Sequence, residues 1–185
     1  VFFSNHRSDI AQFAQAMRAH GVKPEFEVYS SVMLEEVAHL LGLGILDPPY
    51  AINFVLQTPT QGGARGTPQN LLDMLQRLAD LPVPREQLRV TVSSMGRTQL
   101  PLTTIGLAMG LNVRVGLEDN VYYRRGELAE SNAQLVERAV RIARELERGF
   151  TPLSARARVE AGHAVLHDLA GLPVGEVITG NPMAM

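Results

Sequence analysis

Cysteine is absent from the 185 residues, and lysine occurs once, as Lys23. The first absence excludes disulfides, thiol nucleophiles and thiolate metal sites, so any metal must be held by His, Asp or Glu. The second hands nearly all positive charge to arginine, which forms no Schiff base, so lysine-aldolase chemistry would rest on Lys23 alone. No apolar run approaches the ~20 residues of a membrane span, and no signal peptide is visible, so a cytoplasmic protein without a membrane partner is expected. A net charge of -2, with no long basic stripe, argues against nucleic acid as a partner. What remains is an ordinary globular composition, 45% hydrophobic, long enough for one domain with a sizeable core, read as residues 1–185.

The chain alternates helical and extended patterns. Residues 8–20 place Ile10, Phe13, Ala14 and Met17 on one helical stripe, closed by Gly21. Strands are expected near 25, 51, 88 and 112, with helices over about 31–42, from Thr67-Pro68 onward, over 98–109, and from Ser131 to about 148, where Ser131 and Gln134 form a capping box. Strict alternation of this kind predicts parallel strands with helical crossovers. The strands carry polar residues on one face: Glu25, Glu27, Tyr29, Asn53, Gln57, Thr91 and Ser93 sit opposite Phe26, Val28, Ile52, Phe54, Leu56, Val90 and Val92. An open doubly wound sheet usually has more uniformly apolar strands, whereas a barrel with a polar interior near its strand ends fits this pattern. The expected fold is α/β, a (β/α)8 barrel of which the chain supplies roughly the C-terminal four strand–helix units. Residues 153–185 read as a helical C-terminal extension and tail. The opening Val1-Phe2-Phe3 looks like the end of a strand, consistent with a processed start or with the interior of a longer protein.

The most informative stretch is Arg114-Val115-Gly116-Leu117-Glu118-Asp119-Asn120. Alternation sets Val113, Val115 and Leu117 against Arg114, Gly116 and Glu118. Charges turned toward an interior persist when paired or metal-bound, so Arg114 calls for carboxylates, and Glu27, Glu118 and Asp119 are at hand. One of them could be spared to bind a metal or move a proton; a purely structural ion pair is the alternative. Ser93, Ser94 and Arg97 end the 88–94 strand, where a serine can bond a substrate carboxylate or cap the next helix. The Gly62-Gly63 loop lacks the Lys-Ser/Thr of a P-loop and is either a ligand-approach loop or a plain connection. His163 and His167 stand four apart on an expected helix, but Ala164 follows the first, so the zinc-protease motif is missing.

Four ordered blocks then resemble the β-keto acid cleavage enzymes: Val22-Lys23-Pro24-Glu25-Phe26-Glu27-Val28-Tyr29, the Gly62-Gly63…Thr67-Pro68 loop, Met95-Gly96-Arg97-Thr98-Gln99-Leu100-Pro101, and Arg114 to Asn120. The resemblance runs to about residue 152. It implies a zinc-dependent (β/α)8 barrel that condenses a β-keto acid with acetyl-CoA, giving acetoacetate and a new acyl-CoA. By position, Glu118 resembles the zinc ligand of the last strand, Asp119 the general base, Arg114 the residue orienting that base and the substrate carboxylate, and Glu27 the partner of Arg114; Ser93 is a further candidate for substrate binding. The His-x-His pair that the family's metal also needs is not in these residues. With no initiator methionine, the reading expects a missing first half that holds it, and weak metal binding and little activity from the 185 residues alone. Half a barrel exposes sheet edges, so a homo-oligomer is expected. The rival readings are a metal-dependent retro-aldolase working without CoA, and a non-catalytic half-barrel homologue.

Overall fold

The computed structural model describes residues 5–151 and two further segments, 163–167 and 173–178. Four parallel strands form the central sheet in the order β1 (Glu25–Val28), β2 (Tyr50–Leu56), β3 (Leu88–Ser94) and β4 (Asn112–Val113). The crossovers are α2 (Leu34–Gly42), α3 (Pro68–Arg77) and α4 (Gln99–Ala108), with α1 (Arg7–Ala19) before the sheet and α5 (Asn132–Glu145) after it. The expected parallel α/β arrangement with flanking helices is therefore present. The opening Val1-Phe2-Phe3 lies outside the described residues.

Period-2 patterning decides which face is covered. Val28, Phe54, Val92 and Val113 fall in one register row, with Phe26, Ile52 and Val90 in the next on the same face. All but Val113 pack against Leu34, Val37, Leu71, Met74, Leu78 and Leu102 from the helices. Burying one such Leu or Phe contributes about 1.5–3 kcal/mol, and this layer is the main source of stability. The opposite face carries the row Glu27, Asn53, Thr91 and Asn112. A second cluster, Leu107, Val113, Val115, Leu135, Ala139 and Ala143, holds α5 against the end of the sheet.

Local signals behave as the side chains dictate. Thr67 caps α3 by accepting from Asn70 N, with Pro68 in the first turn. Ser131 accepts from Gln134 N, and the Gln134 side chain turns back one residue further, to Glu130 N. Phe13, expected on the buried stripe of α1, is 65% exposed; Ala14 alone in that helix is buried, because α1 docks through Ile10, Ala11 and Ala14 onto Leu40 and Leu46.

Two expectations are corrected. The strand pattern through Arg114–Leu117 stops earlier: β4 ends at Val113, and Gly116 to Asp119 turns, with Asn120 N donating to Gly116 O. The expected C-terminal helix is replaced, wherever the chain is described, by strands β8 (His163–His167) and β9 (Pro173–Ile178), which form an antiparallel sheet with β7 (Gly149–Thr151). A small antiparallel hairpin, β5 (Tyr122–Arg124) with β6 (Glu127–Leu128), precedes α5. No helix among the described residues is long and apolar enough to cross a membrane.

Candidate active site

The carboxyl ends of parallel strands are where an open or closed α/β sheet presents its loops, and the charged residues gather there. Arg114 continues the β4 register, its N donating to Val92 O, so its side chain leaves on the same face as Asn112. The turn that follows brings Asp119 back onto it. Arg114 Nε and Nη2 donate to Asp119 Oδ2 and Oδ1 at 3.1 and 2.8 Å, a two-point guanidinium–carboxylate contact. Its Nη1 donates to Glu27 Oε1 at 2.6 Å, 87 residues away on β1. The other Glu27 oxygen, Oε2, accepts the Tyr29 hydroxyl at 2.7 Å.

Burial grades this chain of contacts. The Asp119 side chain is 2% exposed, Arg114 12% and Glu27 40%, so the innermost group is the carboxylate that, among the described residues, Arg114 alone holds. Burial pushes the Asp119 carboxyl above the ordinary carboxylate range; Arg114 pulls it back, and the nearby Glu118 and Glu27 push it further up. For Arg114, burial acts to lower the guanidinium value, but the Asp119 and Glu27 contacts outweigh it and the group is held firmly cationic. Burial, with the adjoining Glu27, raises the Tyr29 phenol to about 12.

The backbone of the turn is fixed from three sides. Gly96 N donates to Asp119 O at 2.7 Å, Gln99 Nε2 to Gly116 O at 3.2 Å, and Leu117 N to Asn132 Oδ1 at 2.8 Å. Glu118, between these anchors, is exposed, and its side chain has no hydrogen bond or ion pair among the described residues. It is the carboxylate of the stretch left free to ligate. No group of three His, Cys, Asp or Glu that could hold a metal occurs among the described residues, so the described residues alone do not make a three-ligand site.

Ser93 lies beside this constellation, buried, its Oγ donating to Asn53 Oδ1 at 3.1 Å and lying 3.3 Å from Phe54 O. Its hydroxyl proton thus already has protein acceptors. Asn53 Nδ2 and Asn112 Oδ1, both buried on the inner face, have no partner among the described residues. The sequence reading placed Asn53 on this face but missed Asn112; the register Thr91↔Asn112 was the signal available. It also missed the Tyr29–Glu27 bond, for which shared parity along β1 was the cue.

The remaining motifs resolve as structure. Gly63 lets the loop close on Thr58: a Cβ there would stand 2.0 Å from Thr58 Oγ1. Lys23 Nζ donates to Asp47 O and Pro48 O at the amino ends of β1 and β2, away from the charged cluster, so the single lysine of these residues does not enter that cluster. His163 and His167 lie on β8 and not on a helix.

Comparison with known proteins places these residues in context. The family model described as beta-keto acid cleavage enzyme matches residues 1–160. The chain is 39% identical over 155 residues, 83% of its length and 54% of the relative's, to the 3-keto-5-aminohexanoate cleavage enzyme of Acetoanaerobium sticklandii. It is 37% identical over 155 residues, 83% of its length and 53% of the relative's, to the enzyme of the same name from Fusobacterium nucleatum. To the 3,5-dioxohexanoate:acetyl-CoA acetone transferase of Paraburkholderia graminis it is 33% identical over 161 residues, 86% and 51% of the two chains. The chain spans about half the length of the curated relatives it matches. With the turn and its ion pairs at the strand ends and this match along most of its length, the chain belongs to the beta-keto acid cleavage enzyme family.

Proposed function

We propose that these residues form the base-bearing half of a (β/α)8 barrel that exchanges acyl groups between a β-keto acid and acetyl-CoA, giving acetoacetate and a new acyl-CoA. The observation that carries this reading is the buried Asp119, gripped at two points by an arginine that Glu27 holds from behind. The relatives' names supply the substrate class, since the Paraburkholderia graminis protein is named as an acetyl-CoA acetone transferase.

An ion pair that spans the sheet from edge to edge supports the barrel. β1 and β4 are opposite edges of the four-stranded order, and a flat sheet would hold them roughly 14 Å apart at about 4.8 Å per strand. The 2.6 Å contact between Arg114, just past β4, and Glu27 on β1 joins those edges across the polar face, as expected if that face lines a barrel interior. A cleft of about 560 Å³ runs along the open edge of β1, lined by Glu25, Phe26, Glu27, Tyr29 and Met33 among others. Further parallel strands laid there and beyond β4 would close the barrel.

Asp119 takes a proton from the carbon between ketone and carboxylate; its raised affinity for the proton suits it to the task. That carbon then forms a bond to the thioester carbonyl of acetyl-CoA and breaks its bond to the original acyl group, which leaves on the sulfur of CoA. The carbon keeps its carboxylate and exchanges one acyl group for acetyl, so atoms and charge balance. Arg114 spends one N–H from each of its three nitrogens on Asp119 and Glu27, which leaves one on Nη1 and one on Nη2 for a substrate carboxylate. Asn53 Nδ2, Asn112 Oδ1 and Ser93 line the inner face beside it as polar contacts for substrate. Zinc, held in part by Glu118, would supply Lewis-acid polarisation of the ketone when bound.

The test is incubation of the protein with a β-keto acid, with and without acetyl-CoA, followed by mass spectrometry of acetoacetate and acyl-CoA. Formation of both only with acetyl-CoA, and loss of both in Asp119→Asn, is the expected result. Cleavage of the keto acid at the same rate without acetyl-CoA would overturn the reading in favour of a retro-aldolase.

A further inference from the structure

Two long stretches of the chain contain no carboxylate, residues 48–72 and 87–117. They include the loops that leave the carboxyl ends of β2 and β3, and each loop carries one arginine, Arg65 and Arg97. Both are exposed, and neither side chain has a hydrogen bond or an ion pair among the described residues. Elsewhere on the surface Arg7, Arg18 and Arg124 each face a carboxylate, Glu36, Asp47 and Glu127.

The two loops are locked together one residue from each arginine. A Cβ on Gly66 would stand 2.5 Å from Thr98 Oγ1 and 3.0 Å from Ser94 Oγ, so the Gly66 backbone packs directly on the Thr98 and Ser94 side chains. Gly66 N donates to Gln57 Oε1 at 2.8 Å, from a residue held at φ 65. On the facing loop Thr98 Oγ1 donates to Met95 O at 2.8 Å and lies 2.7 Å from Ser94 Oγ. Gly96, next to Arg97, holds the carbonyl of Asp119. The arginines therefore stand on fixed backbone at the rim of the turn that carries Asp119, one residue from the Gly66–Thr98 contact and with no carboxylate in either loop to offset them.

We propose that Arg65 and Arg97 form a clamp for the phosphate groups on the nucleotide end of the CoA thioester. This rests on the reaction proposed above. Guanidinium groups bind phosphate oxygens in pairs of parallel hydrogen bonds, and a chain whose single lysine is spent on Asp47 and Pro48 carbonyls must use arginine for this. The carboxylate of the keto acid has Arg114 deeper in the site, so the rim pair is left for the larger, more highly charged substrate.

Two measurements test the clamp. Calorimetry with adenosine 3′,5′-bisphosphate should show binding to the wild type and its loss in Arg65→Ala/Arg97→Ala. In steady-state kinetics each single alanine should raise KM for acetyl-CoA by about tenfold, the loss of one charge-assisted bidentate contact. The preference for acetyl-CoA over S-acetylpantetheine, which lacks the nucleotide, should shrink by the same factor. Arg77→Ala, removing an exposed charge on α3, should leave that preference intact. Equal losses on both thioesters, a raised KM for the keto acid alone, or bisphosphate binding that is absent from the wild type or unchanged in the double variant would overturn the proposal. A wild type that binds the bisphosphate but turns over no acetyl-CoA would refute the reaction and leave the phosphate clamp standing.

Discussion

Tyr29 gives its hydroxyl proton to Glu27 Oε2 at 2.7 Å, while the other oxygen of the same carboxylate receives Arg114. The phenol thus restrains the group that restrains the guanidinium. Tyr29→Phe removes one hydrogen bond and should cost about 0.5–1.5 kcal/mol of stability, read by urea denaturation. Its phenol is raised to about 12, so the folded state holds that proton more tightly than the unfolded chain does. The associated stability is complete below about pH 10 and is lost as pH rises toward 12. Absorbance titration of the tyrosines should show this high step in the wild type and not in the variant.

The acid limb of kcat/KM should report Asp119. It must be ionised to accept a proton, so activity should rise with pH through its value, which lies above the ordinary carboxylate near ~3.9. The linkage to stability has the opposite sense. A raised folded value means that folding favours the protonated form, so this group's contribution is greatest below the unfolded value and declines as pH rises through the folded one. Asp119→Asn should abolish turnover and flatten that decline, measurable by thermal unfolding across pH. Near-normal turnover in the variant would refute the base assignment.

Arg114→Met keeps the length of the side chain and removes its charge. Asp119 would then be buried without a partner, and the cost should be about 3–5 kcal/mol, with turnover lost. Adding Asp119→Asn to Arg114→Met should recover much of the stability and none of the activity. If the double variant were no more stable than Arg114→Met, the cost would lie in packing and not in the orphaned carboxylate.

Glu118 has no side-chain bond among the described residues, so Glu118→Gln should shift stability by no more than about 0.5 kcal/mol. Zinc per chain, measured by mass spectrometry of the metal, should fall sharply. Unchanged metal content at unchanged stability would remove Glu118 from the ligand set.

The regular part of this fold was legible because its strands obey period 2: Glu27 against Val28, Asn53 against Phe54 and Ser93 against Val92 reveal both faces. Where the chain turns, that rule fails. Arg114 to Leu117 alternates convincingly, yet Gly116 and the capture of Leu117 N by Asn132 end the strand early. The ion pairs were readable only as a set of charges wanting partners; which oxygen meets which nitrogen depends on a contact across 87 residues. Phe13 was misplaced because helical periodicity marks a stripe without saying how much of it is covered. At the C-terminal end, residues 153–185 were read as a helical extension and tail. The β-branched pattern Pro173-Val174-Gly175-Glu176-Val177-Ile178 was the signal for a strand there.

The contact between Glu27 and Arg114 acts as a tie rod across the sheet. Its two ends stand at opposite edges of one four-stranded sheet, so its length depends on how the intervening strands place those edges as well as on the turn that holds Arg114. A small shift of β1 relative to β4 would part Arg114 from Glu27 while the hydrophobic layer on the helix-covered face stayed packed. The ion-paired arrangement therefore depends on the shape of the scaffold. It is complete only while the two edges keep their places, and a substitution far out in that layer could silence the base without unfolding the protein.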